Sequence, residues 1–84
     1  MPLVSSEAVN LGHVYAEGME RFDKALVIDG IRAALDGISP MYNLADIPEK
    51  DLRSYRKGCE IAKHAHIAGC NSEEIIAVLE YVGD

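Results

Sequence analysis

Apolar residues recur along this chain at three- and four-residue intervals almost from end to end, and no stretch alternates as a strand would. The pattern predicts a first helix starting at Ser5 or Ser6, either of which can serve as N-cap, with Glu7 in the favourable first turn. It runs to about Asp36, where Gly37 suits a left-handed cap and Pro40 prevents continuation. On a helical projection Ala8, Leu11, Tyr15, Met19, Phe22 and Leu26 share one narrow face. Val27, Ile28, Ile31, Leu35 and Ile38 then cluster on roughly the opposite side.

This change of face is the most informative feature of the sequence. Either the helix breaks near Asp29–Gly30, or one helix changes partner halfway along. Unbroken, about 31 residues at 1.5 Å each span roughly 46 Å. The rest of the chain could cover one half and a second subunit the other. Gly12, Gly18 and Gly30 each weaken an isolated helix by about 1 kcal/mol relative to Ala. They are either tolerated on a solvent face or, as in the Ala8, Gly12, Ala16 spacing, let another helix come close.

A connection over residues 37–47 leads to a second helix from about Ile47 to Ala68. Asp46 is its expected N-cap, Pro48 lies in its first turn, and Glu49 holds the third position of a capping box. Gly69 ends that helix. Asn71 and Glu74 form another capping box for a short third helix over about Ser72 to Val82, which turns Ile75, Val78, Leu79 and Val82 to one side. The expected architecture is therefore a single all-α domain over residues 1–84, a small bundle of about three helices. It dimerises through its long first helix, with Val27, Ile28, Ile31, Leu35 and Ile38 as the partner or dimer interface.

Composition narrows the function classes. At 84 residues the chain is near the small end of what folds alone, where a second copy is a common remedy for thin stability. Its net charge of −6 argues against nonspecific binding to nucleic acid or anionic lipid. Met1–Val4 gives way directly to Ser5, Ser6 and Glu7, so no signal peptide is expected, and no apolar run approaches a membrane span. Reduced thiols and a cytoplasmic location follow as expectations.

The charge is uneven. Residues 47–69 carry five basic and three acidic side chains, whereas residues 70–84 carry four acidic and none basic. Arg53, Arg56, Lys57 and Lys63 form a basic ridge that could dock an acidic partner helix or lie solvated beside the protein's own carboxylates. Cys59, His64, His66 and Cys70 invite a metal or redox reading, but Cys59 and His66 stand about 10.5 Å apart along a helix axis, too far for one ion. Core thiols and a core-edge histidine are the better reading, with no metal and no cofactor.

Two local likenesses complete the picture. The segment Cys59–His66 resembles the C-x-x-C-x-x-x-H helix of the alkylhydroperoxidase-like fold over eight positions. Ala62 stands where that family has its second cysteine, which leaves the redox cycle without a resolving thiol. Ala65, Gly69 and Ile75 match the small, turn and apolar positions of a helix-turn-helix, and Ala68, Cys70 and Val78 fit its other packing positions. The would-be reading helix offers Glu73, Glu74 and Glu80 and no cation, so its corner at residues 65–75 is expected as structure more than as DNA reader. With no phosphate loop and no assembled acid–base set, no catalytic residues are expected. The expected function is a non-enzymatic protein–protein interaction module: a small regulator, inhibitor, adaptor or secretion-type chaperone acting as a homodimer. The alternative is a DNA-binding regulator.

Overall fold

The computed structural model describes residues 6–16 and 18–82, and every regular element among them is helical. There are four α-helices: α1 (Ser6–Ala16), α2 (Lys24–Asp36), α3 (Glu49–Ile67) and α4 (Ser72–Val82). Short 3-10 turns at Met19–Arg21 and Leu44–Asp46 lie in the first two connections. The Ser5 cap expected for the first helix and the side chains of Ala8, Ala16 and Val82 lie outside the described residues.

The long first helix is thus two helices. The break falls at residues 18–23, earlier than Asp29–Gly30, and two local causes produce it. Gly18 adopts φ 83°, a left-handed conformation that a helix cannot contain. Asp23 then caps α2, its side chain accepting from the backbone N–H groups of Ala25 and Leu26. Its own N–H donates to the buried Ser54 hydroxyl at 2.9 Å, tying the start of α2 to α3. Consistent with the fold-back, the longest dimension is 37 Å and the radius of gyration 12.1 Å, close to the value of about 12 Å for a folded chain of this length.

The fold-back turns the second stripe inward. Val27 and Ile31 are 1% and 0% exposed, in one core with Ile61, Ala62 and Ala65 of α3 and Ile75, Val78 and Leu79 of α4. Ile28 and Leu35 pack partly buried against it, and only Ile38, past the end of α2, stays open at 54%. Of the five residues expected at a dimer interface, Val27 and Ile31 are thus covered by α3 and α4 of the same chain. Tyr15 and Met19 extend the core from the first segment, with Leu11 and Phe22 at its edge.

Glycines set the close approaches. α2 packs most extensively on α3, and Gly30 meets Gly58 at their crossing. α1 lies against α4, where Gly12 is buried on Val78. Gly12 and Gly30 are therefore packing positions, and the solvent-facing reading fails for both.

Helix ends follow the expected devices, with one exception. Gly37 at φ 69° closes α2 in a left-handed cap, and the N–H groups of Gly37 and Ile38 both reach back to the carbonyl of Arg32. The Asn71–Glu74 capping box forms, with Glu74 N–H donating to Asn71 Oδ1 at 2.8 Å and Asn71 N–H donating to Glu74 Oε1 at 3.3 Å. The exception is α3. Asp46 belongs to the preceding 3-10 turn, itself capped by Asn43, and α3 starts only after Pro48 with no side-chain cap.

Candidate functional site

The surface where α2 ends and α4 begins carries two adjoining open hollows. A groove of about 460 Å³ runs between the last turn of α2 and the outer side of α4. Ile38, Ile76 and Ala77 supply its apolar lining, and Asp36, Glu73 and Glu80 stand with Arg32 around it. A second hollow of about 280 Å³ lies beside it, lined by Asp29, Pro40, Met41 and Tyr42, and sharing Arg32 and Ile38. Ile38 is thus common to both, and Met41 extends fully into solvent at 103% exposure.

The local chain explains this surface. The left-handed cap at Gly37 turns the backbone sharply, so Ile38 emerges beyond the core that buries Ile31. Tyr42 anchors the connection by donating to Asp29 Oδ2 at 2.9 Å. Burial, the bond to Asp29 and the nearby negative charge push the Tyr42 phenol up to about 12. Ser72, buried at the start of α4, donates to Asp36 Oδ2 at 2.6 Å and so fixes that carboxylate at the groove's edge.

Of the basic ridge on α3, Arg53, Arg56 and Lys63 are exposed, but Lys57 is not a ridge residue in the same sense. Its Nζ lies 2.7 Å from Glu60 Oε2 and over the rings of Tyr15 and Phe22, at 5.2 and 5.6 Å from their centroids. The Lys57 hydrogen bond holds the Glu60 carboxyl below its ordinary value. Arg56 makes only a loose, exposed approach to Glu49 at 3.7 Å. The ridge is thus three cations, with the fourth folded against aromatic side chains.

Cys59, His64, His66 and Cys70 are not brought together as ligands, and among the described residues no group of three or more His, Cys, Asp or Glu could hold a metal ion. Cys59 faces α2 and donates its thiol to the carbonyl of Gly30 at 3.6 Å; burial pushes that thiol up, away from the reactive thiolate. Cys70 is buried in the core, His66 is exposed beside Cys59, and neither cysteine is in a disulfide. His64 shares a hydrogen bond through Nδ1 with the Tyr15 hydroxyl, pinning α1 to α3. That pair was not foreseen, because the two residues are 49 positions apart and nothing in either helix's periodicity links them.

The corner at residues 65–75 exists as a tight turn: Ala65 and Ile75 are fully buried and Gly69 takes φ 80°. Its second helix presents Glu73 and Glu80 outward, which opposes phosphate approach. No helix among the described residues is long and apolar enough to cross a membrane.

The groove residues Arg32, Asp36, Glu73, Ile76, Ala77 and Glu80 were not singled out from the sequence as a site. Their one legible signal is the all-acidic charge of residues 70–84, which by itself marks no surface. No protein-family model, curated protein or solved structure matches this chain.

Proposed function

We propose that the protein is a non-enzymatic helical interaction module that docks another protein on the surface formed by α2, the connection after it, and α4. The observation that carries this reading is the placement of Ile38 and Met41. They are large, exposed apolar side chains that border adjoining hollows in a protein whose core is otherwise closed around Ile31, Ile61 and Ile75. Isolated exposed apolar residues are ordinary, but here Ile38, Pro40, Met41, Ile76 and Ala77 line neighbouring depressions rimmed by charge, the usual form of a docking surface. Regulator, inhibitor, adaptor and secretion-type chaperone are all uses of such a surface.

The homodimer expected from the sequence loses its original interface, since Val27 and Ile31 are interior. Among the described residues Val14 and Ile67 are also exposed, but Ile38 and Met41 are the exposed apolar pair that border adjoining hollows. DNA reading gains no support, because α4 offers no Lys or Arg to a phosphate.

The test is a photo-crosslinking side chain at Met41, irradiated in lysate of the source cells, with the same group at exposed Asp46 as control. A discrete adduct that disappears with Ile38→Asp supports the docking surface, and an adduct of twice the chain mass identifies the partner as a second copy. Equal labelling from positions 41 and 46, insensitive to Ile38, contradicts it.

A further inference from the structure

We infer that the groove on α4 takes a basic amphipathic helix from a partner protein. The inference rests on the docking reading above and specifies the partner's chemistry. Glu73 and Glu80 lie seven residues apart on α4, about 10.5 Å along one face, with the exposed Ala77 between them. A small residue flanked by acids at two-turn spacing is a seat for a helix laid along α4. Ala77 permits close approach, and the acids meet cations that also repeat every two turns. Toward α2 the same groove offers exposed Ile38 to an apolar side chain, with Ile76, 7% exposed, at its floor. Asp36, held by the Ser72 hydroxyl, adds a third carboxylate, and Arg32 is the one cation among the described residues that line the groove.

Charge complementarity selects this occupant over a second copy of the chain. The protein's own basic helix does carry Arg56 and Lys63 at the same two-turn spacing. Between them stands Glu60, which would place a carboxylate over Ala77 where the groove calls for an apolar side chain. Two copies at −6 each also repel one another. A cationic helix from another protein has neither obstacle.

The test is titration of the isotope-labelled full chain with an 18-residue helical peptide of leucine and lysine, followed by backbone amide chemical shifts. Expected are saturable shifts centred on Arg32, Ile38, Glu73, Ala77 and Glu80. The double variant Glu73→Gln/Glu80→Gln should weaken the peptide roughly two- to twenty-fold, the range for two rim charges. A double variant of equal net charge elsewhere, Glu20→Gln/Asp46→Asn, should leave binding unchanged. If a leucine–glutamate peptide binds the same groove equally well, the basic partner is wrong while the docking surface stands. If neither peptide shifts these amides, both readings fall. Shifts spread over the acidic surface and indifferent to Glu73 and Glu80 overturn the inference. So does a peptide-free, concentration-dependent doubling of mass that moves these same amides, which would assign the groove to a second copy.

Discussion

Gly30 of α2 and Gly58 of α3 meet backbone to backbone: a Cβ on Gly30 would stand 2.2 Å from the carbonyl oxygen of Tyr55, and one on Gly58 2.0 Å from that of Val27. Neither clash can be relieved by turning a side chain. In an open helix Gly→Ala stabilises by about 1 kcal/mol. Here that gain is outweighed, because overpacking of this kind costs about 1–3 kcal/mol or more. Gly30→Ala and Gly58→Ala should each lower stability in urea unfolding. A gain of stability in either variant would show that the two helices stand further apart than described.

Ile31 and Ile38 should separate interior from surface. Ile31 is fully buried, so Ile31→Ala should cost about 2–5 kcal/mol, by an amount independent of protein concentration. Ile38→Ser, at a half-exposed site, should change stability by less than about 1 kcal/mol. Denaturation at two concentrations a hundredfold apart checks both. A cost of Ile31→Ala that grows or shrinks with protein concentration would return Ile31 to an intersubunit role.

The start of α4 depends on a reciprocal cap. Asn71→Ala should destabilise by about 1 kcal/mol, whereas Asn71→Asp, which keeps the acceptor for the Glu74 N–H, should be close to neutral. Circular dichroism melts of the two variants give the comparison. Equal melting temperatures would mean that the box contributes nothing.

Tyr42 supplies a pH dependence whose sign is fixed. Its phenol is held at about 12 in the folded chain against an ordinary value of 10.0, so the folded state keeps the proton more tightly than the unfolded one. The contribution is intact below pH 10 and is lost as pH rises through about 12. Ring-carbon labelling of tyrosine should show Tyr42 titrating late, and Asp29→Asn should bring it part of the way back, since burial remains. A Tyr42 that titrates at its ordinary value would mean that both its burial and its bond to Asp29 are absent in solution.

Much of the framework was legible because helix ends are local. Gly37, Gly69 and the Asn71–Glu74 pair act within one turn of chain, and each does what its residue type implies. The break before α2 was misplaced for an equally physical reason. Phe22 and Leu26 continue the apolar stripe of Tyr15 and Met19, and so mask both Gly18 and the Asp23 cap. The change of face beginning at Val27 recorded that break a few residues late. Asp46 was displaced as a cap because Asn43 starts a 3-10 turn first and Pro48 follows at the entry to α3. The groove was illegible because it joins residues 32–38 to residues 72–80, and only the fold makes them neighbours.

One turn of α4 has two clients. Val78 points at Gly12 and receives α1, while Ala77, the preceding residue, faces the groove about a quarter-turn around the helix. α1 is otherwise fastened to α3 by the bond between Tyr15 and His64. A helix seated over Ala77 would hold α4 in place and raise the cost of α1's departure. By reciprocity α1's attachment must strengthen that seat to the same degree. The N-terminal helix would then be a lever on docking, acting from a neighbouring face of α4.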